Sequence, residues 1–67
     1  MDTPRRLIPP HRLDAEKGIA LSKDTRRRLE AAGDFPLRIP ISAMRHAYDE
    51  REIDAWIEKR IAARETA

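Results

Sequence analysis

The sequence predicts a mainly α-helical domain with one small β-hairpin. Gly18 and Gly33 each follow a run of helix-compatible residues, and glycine readily takes the left-handed conformation that ends a helix. Apolar residues recur at helical spacing in the last third of the chain, whereas those in residues 37–41 alternate with other residues, as in a half-buried strand. These patterns predict three helices and a two-stranded antiparallel hairpin.

Size and composition exclude several classes of protein. With 67 residues and no cysteine, the chain has room for only a small core and cannot form a disulfide or a thiolate site. Surface positions for His11 and His46 are favoured over a zinc site, because the two lie far apart in sequence. No apolar run approaches the ~18 to 20 residues of a membrane span. We therefore expect a cytoplasmic protein with no metal, cofactor or membrane partner.

An enzyme is the weakest interpretation. Ser22, Thr25, the histidines and the carboxylates show no spacing that would join a nucleophile to a base and to a group that orients the base. No catalytic residue is therefore predicted.

Three regions are predicted along the chain. Residues 1–10 contain three prolines and are expected to be extended or mobile, with Leu7 and Ile8 forming at most a short strand or an anchor on the core. A frayed terminus is favoured over an arm that enters a DNA minor groove. Residues 11–64 form the folded domain, and residues 65–67 are expected to fray.

The first two helices are predicted from their end signals. A brief helix over residues 13–17 stops at Gly18, and a second helix over residues 23–32 stops at Gly33. Ser22 is a suitable N-cap, since its hydroxyl can accept a backbone N–H that the first turn leaves unpaired. A helix, a tight turn and a capped basic helix make a helix-turn-helix candidate.

The positive charge is concentrated in the middle of the chain. Residues 1–21, 22–48 and 49–67 carry net charges of +1, +3 and −2, which give the total of +2. A local cationic stripe can attract a polyanion even when the whole protein is nearly neutral.

The second helix divides this charge between two sides. At 100° per residue one side carries Lys23, Arg26, Arg27 and Glu30, the other carries Thr25, Leu29 and Ala32, and Arg28 lies at the border. One side is therefore predicted to be cationic and the other to pack.

A hairpin is expected after the second helix. Residues 37–41 form its first strand, residues 42–45 its turn and residues 46–48 its second strand. Pro40 confines the first strand to a sheet edge or a bulge. Beside a helix-turn-helix candidate such a hairpin is a wing, so the predicted fold is a winged helix-turn-helix.

The last helix supplies much of the predicted core. Asp49 opens it, at capping-box spacing from Glu52. Its apolar stripe includes Ile61 and is interpreted as core rather than as a membrane-surface or partner-binding face. The predicted structural core comprises Leu29, Phe35, Ile39, Tyr48, Ile53, Trp56 and Ile57.

Several short motifs carry a family resemblance. They read Leu21-Ser22-x-x-Thr25-x-x-Arg28-Leu29, then Ala32-Gly33-Asp34-Phe35-Pro36, then Arg38-Ile39-x-Ile41, then Ala47-Tyr48 and Glu52-Ile53-Asp54-Ala55-Trp56. In this order, over residues 12–62, the chain resembles the AlpA family of small phage- and mobile-element-associated DNA-binding proteins. The resemblance implies a winged helix-turn-helix related to MerR-type and excisionase domains. It also implies a regulator of gene expression on an integrated element, a recombination directionality factor (excisionase), or both.

Some positions depart from the family pattern. Arg27 stands where an aromatic residue is common, Tyr48 stands where tryptophan is usual, and the wing turn has no glycine. We expect these changes to preserve the fold and to alter the DNA sequence that is read.

Duplex DNA is the expected partner. The helix over residues 22–32 is predicted to enter the major groove, with the wing over residues 37–48 on the flanking backbone. The predicted DNA-binding residues are Ser22, Lys23, Thr25, Arg26, Arg27, Arg28, Arg45 and His46. Two roles stay open for Arg28, packing at the core border and contact with phosphate, and Arg38 is predicted to be a solvated strand residue.

Other partners follow from size and resemblance. A domain of this size makes few contacts, so dimers or several copies along adjacent sites are expected, and the excisionase resemblance favours the second. An integrase or RNA polymerase is a further candidate partner. The alternative function is a protein-interaction adaptor or inhibitor that docks through the C-terminal helix.

Overall fold

The computed structural model describes residues 6–66 and is mainly helical. In chain order its elements are strand β1 (Leu7–Ile8), a 3₁₀ turn (Pro10–Arg12), helix α1 (Leu13–Lys17), helix α2 (Lys23–Ala31), strand β2 (Ile39–Pro40), strand β3 (His46–Asp49) and helix α3 (Glu50–Thr66). The remainder of the predicted N-terminal arm, residues 1–5, lies outside the described residues, as does Ala67. The fraying expected at residues 65–67 stays a prediction.

In the described part of the chain the sheet has three strands rather than the predicted two. Both outer strands pair antiparallel with β3, which gives the order β1-β3-β2. The additional strand forms because Pro9 restricts Ile8 to extended backbone and Ile8 is buried in the core. The backbone N–H of Glu50 also donates a 2.9 Å hydrogen bond to the carbonyl of Arg6. Pro40 lies in an outer strand, where the missing N–H removes no ladder hydrogen bond.

The helix ends follow the predicted local signals. Helix α1 ends at Gly18 with φ +70°, and Gly33 follows α2 with φ +77°. The N–H of Asp34 donates to the Leu29 carbonyl at 2.8 Å, and the N–H of Gly33 donates to the Glu30 carbonyl at 3.1 Å. These two bonds form a Schellman motif, which ends α2 at Ala31, one residue before the predicted end.

Helix α3 begins directly after β3. Asp49, the last residue of that strand, accepts a 2.9 Å hydrogen bond from the backbone N–H of Arg51. Asp49 therefore caps the helix at its second residue, while the Glu52 side chain is exposed. The C-terminal helix is fixed in direction by the sheet that precedes it.

A core of aromatic and aliphatic side chains lies between the sheet and the helices. Its buried members are Ile8, Leu13, Ile19, Phe35, Tyr48 and Ile53, and the partly buried side chains of Leu21, Leu29, Trp56 and Ile57 pack against them. Phe35 lies edge to face with Tyr48 at 5.4 Å and with Trp56 at 4.9 Å between ring centroids. The indole N–H of Trp56 donates to the Asp34 carbonyl at 2.6 Å.

Strand β2 departs from the predicted alternation. Leu37 is 68% exposed and Ile41 is 53% exposed, so their placement on the half-buried face of the strand is wrong. The paired part of β2 is only two residues long, and the pleat is therefore not maintained outside it. Ile61 is 39% exposed, so the buried part of the α3 stripe ends before this residue.

Candidate nucleic-acid interface

The N-terminus of α2 is organised by its cap. The Ser22 hydroxyl oxygen accepts the backbone N–H of Thr25 at 3.2 Å. The same hydroxyl donates to the Thr25 hydroxyl at 2.8 Å. Both residues were predicted to bind DNA, and in the free protein their hydroxyls are hydrogen-bonded to each other at the surface. The cap fixes the position from which the next basic side chains project.

A concave surface lies between α2 and the wing, and we call it the α2–wing groove. Its volume is about 380 Å³, and it is lined by Pro10, Lys23, Arg26, Arg27, Arg38, Ala43, Met44 and His46. None of these lining residues is acidic. Helix α2 thus contributes three cationic side chains to this surface, and Arg38 adds a fourth beside His46 of β3.

The cations of α2 are not neutralised by ion pairs. Within the described part of the chain, no carboxylate lies within 4.0 Å of the four, which are Lys23, Arg26, Arg27 and Arg28. In contrast, Lys17 contacts the Asp54 carboxylate at 2.8 Å, and Arg6 and Arg12 also have acidic partners. The hydrogen bond to Asp54 raises the pKa of Lys17. Positive charge that is available to a ligand is therefore present on α2.

A chain of hydrogen bonds, which we call the Tyr48–Glu30 network, lies below the groove. Arg26 Nη1 donates to the Tyr48 hydroxyl at 3.0 Å, and that hydroxyl donates to Glu30 Oε2 at 2.7 Å. The backbone N–H and Nη1 of Arg38 both contact Glu30 Oε1 at 3.3 Å. Tyr48 is 0% exposed and Glu30 is 7% exposed. The network joins two groove-lining guanidiniums through one buried carboxylate.

The environment of Tyr48 keeps its hydroxyl protonated. Burial raises the pKa of this hydroxyl, and the hydrogen bond to Glu30 raises it further, while the hydrogen bond from Arg26 has the opposite effect. A protonated hydroxyl can donate to Glu30 and accept from Arg26 at the same time. The link between helix and sheet therefore persists across neutral pH.

Two predictions, about Glu30 and Arg38, are corrected by this network. Glu30, assigned to the cationic side of α2, is buried because Tyr48 and Arg38 provide donors for its carboxylate. Arg38, assigned to solvent, is half-buried and forms an ion pair with Glu30. The only sequence signal for this pair was an isolated acid among arginines, and nothing local identified its partners.

The remaining predicted residues lie in different places. His46 lines the groove. Arg28 and Arg45 are exposed but do not line it. Pro10 and Met44 line the groove although they were not among the predicted binding residues, and Met44 is 89% exposed at the wing turn.

Within residues 6–66, three helices, an antiparallel sheet and a groove between the second helix and the wing define a small winged helix-turn-helix domain. The chain belongs to the family described as Prophage CP4-57 regulatory protein (AlpA), whose model matches residues 12–61. This match confirms the resemblance found in the sequence. No curated protein matches the chain.

Two further observations concern other classes of site. In the described part of the chain, no helix combines the length and the apolar character that a membrane span needs. Residues 6–66 also contain no group of three or more histidine, cysteine or acidic side chains placed to hold a metal ion. The α2–wing groove is the site on which the functional proposal rests.

Proposed function

We propose that this protein is a sequence-specific duplex-DNA-binding regulator of a phage or integrated mobile element. The observation that carries the proposal is the α2–wing groove, which is lined by basic side chains of α2, by Arg38 and by His46, and by no acidic residue. DNA presents a dense array of phosphates, and such a surface attracts it and releases condensed counterions on binding. Membership of a family of regulatory proteins supports the same function.

The dimensions of α2 suit the DNA major groove. Its nine residues give a length of about 14 Å at ~1.5 Å per residue, and a major groove about 12 Å wide admits an α-helix. The N-terminal half of α2 lines the α2–wing groove through Lys23, Arg26 and Arg27. We place this half of the helix against the bases, with the wing on the flanking backbone.

The exposed cations then have separate roles. Lys23 and Arg27 contact phosphates beside the helix, and Arg45 with His46 contacts the backbone next to the wing. Arg28, exposed on another side of α2, reaches a phosphate outside the groove. The hydroxyls of Ser22 and Thr25 donate hydrogen bonds to phosphate when bound DNA replaces the hydrogen bond between them.

Binding to DNA is tested by titration of duplexes at several salt concentrations. If about five phosphates are neutralised, log affinity falls with log salt at a slope near −4 to −5. The double variant Lys23→Ala/Arg27→Ala should lower the affinity by more than tenfold and make the slope shallower by about two. The matched control is Lys59→Ala/Arg64→Ala, which removes the same charge from α3 and should leave most of the affinity. A flat salt response, or equal losses in both double variants, would refute this role of the groove.

The proposed biological role is transcriptional regulation, excision, or both. We propose that several copies bind along adjacent sites in the bacterial cytoplasm, in contact with an integrase or with RNA polymerase. Selection of genomic fragments with the purified protein separates the two roles. Enrichment beside an attachment site indicates a recombination directionality factor, and enrichment at promoters indicates a transcriptional regulator.

The adaptor alternative required an exposed apolar stripe on the last helix. Ile53 is buried, Trp56 and Ile57 pack against the core, and only the Ile61 part of the stripe is exposed in the described residues. This burial supports a structural role for α3. Genomic selection that enriches no DNA would favour the adaptor.

A further inference from the structure

The three cations of α2 that line the groove differ in how firmly they are held. Lys23 and Arg27 are exposed, and no hydrogen bond from either side chain occurs among the described residues. Arg26 is half-buried and donates through Nη1 to the Tyr48 hydroxyl at 3.0 Å. Of these three side chains, Arg26 alone is therefore restrained by a hydrogen bond within the described residues.

The charges of the Tyr48–Glu30 network leave Arg26 electrostatically available. The negative charge of Glu30 is compensated by Arg38, with 3.3 Å between Arg38 Nη1 and Glu30 Oε1. The direct partner of Arg26 is a neutral hydroxyl. Guanidinium has five N–H donors in a fixed fork, so most of them remain free for a ligand in the groove.

We propose, on the basis of the function above, that Arg26 is the residue that reads sequence, by a paired contact with O6 and N7 of a guanine. Tyr48 and Glu30 are positioning residues for this contact. A bidentate contact with a base edge is favoured when the guanidinium plane is oriented before binding, because less side-chain entropy is then lost when the contact forms. Phosphate contacts carry no sequence information, and the unrestrained side chains of Lys23 and Arg27 suit that role.

The experiment begins with selection of duplexes from a random library by the wild-type protein. Affinities are then measured for the selected duplex, for a scrambled duplex of equal length, and for selected duplexes in which single guanines are replaced by 7-deazaguanine, which lacks the N7 acceptor. The variants are Arg26→Lys, Tyr48→Phe and, as the matched control, Arg27→Lys.

Arg26→Lys retains the charge but not the fork. We expect it to lose about ten- to a hundredfold in affinity for the selected duplex, with little loss for the scrambled one. One 7-deazaguanine position should weaken the wild-type protein more than it weakens Arg26→Lys. Arg27→Lys should preserve the affinity ratio between the two duplexes.

Tyr48→Phe tests the positioning role. We expect a severalfold lower affinity ratio with an unchanged salt slope, because every charge remains. Partial unfolding of this variant would lower both affinities by the same factor and leave the ratio unchanged, so a ratio that stays constant in Tyr48→Phe contradicts the positioning role.

Each other outcome has its own meaning. An unchanged ratio in Arg26→Lys, or insensitivity of the wild-type protein to every 7-deazaguanine, overturns the assignment of Arg26 while DNA binding stands. Failure of the library to yield any bound duplex overturns the proposed function itself.

Discussion

Removal of the buried Tyr48 hydroxyl should measure how much this group contributes to holding the sheet against α2. Tyr48→Phe keeps the ring, and with it the edge contact to Phe35 at 5.4 Å. It deletes the donor that lies 2.7 Å from Glu30 Oε2. Arg26 also loses an acceptor but is half-exposed and can be hydrated. The cost therefore falls mainly on the carboxylate of Glu30, which is 7% exposed.

A hydrogen bond to a charged group contributes about 1.5 to 3 kcal/mol, so we expect the free energy of unfolding to fall by about 2 kcal/mol. Domains of this size have a net stability of roughly 3 to 5 kcal/mol. With a urea slope of about 1 kcal/mol/M, the midpoint of unfolding should fall by about 2 M. Trp56, the single tryptophan, packs against Phe35 and reports unfolding by fluorescence.

Glu30→Gln completes a double-mutant cycle with Tyr48→Phe. Tyr48→Phe removes the donor of this hydrogen bond and Glu30→Gln removes the charge of its acceptor, and contacting pairs show coupling energies of about 0.5 to 3 kcal/mol. Glu16→Gln is the control, because its ion pairs are at the surface and should contribute less than about 1 kcal/mol. Additive effects of the Tyr48 and Glu30 variants, or a Tyr48→Phe midpoint equal to that of wild type, would refute the reasoning.

Three further variants and conditions test other parts of the fold. Trp56→Ala should cost about 3 kcal/mol, the low end for a large aromatic because the ring is half-buried, and circular dichroism melting that matches wild type would contradict its core role. Gly33→Ala should cost about 1 kcal/mol from strain at φ +77°, since the added Cβ meets no atom within 4 Å; an unchanged urea midpoint would contradict this. Folding raises the pKa of Lys17 above 10.5 and that of Tyr48 above 10.0. The stability that each group contributes is therefore fully present below that value and is lost as pH rises through the folded-state pKa. The melting temperature should therefore fall above about pH 10, and less steeply in Lys17→Met; an equally steep fall in that variant would exclude Lys17 as a cause.

The parts of the fold that the sequence predicts are those with a local cause. Ser22 caps α2 through a residue three positions away, and Gly18 and Gly33 end helices through their own backbone conformation. Pro40 indicated an edge strand because it lacks a donor, which is a property of that residue alone. Such signals act within one turn of chain, so composition and spacing are sufficient to find them.

The parts that the sequence did not predict depend on contacts between distant residues. Pairing of Ile8 with Tyr48 joins positions 40 residues apart, and an isolated Leu-Ile dipeptide between arginine and proline gives no sign of its partner. The same holds for the bond between Tyr48 and Glu30, which are 18 residues apart. Helical periodicity placed Glu30 on the cationic side of α2. Part of that side is buried because of where β3 lies, and periodicity does not give the position of β3.

The burial of Glu30 also explains how a cationic surface tolerates a carboxylate on the same helix. An exposed glutamate beside Arg26 and Arg27 would repel phosphate and compete for their guanidiniums. Glu30 is buried under Tyr48, and Arg38, its ion-pair partner, compensates its charge within the protein. Arg26 donates to the neutral hydroxyl of Tyr48 rather than to the carboxylate itself. Glu30 can therefore fix the orientation of the Arg26 guanidinium, through Tyr48, without neutralising its charge.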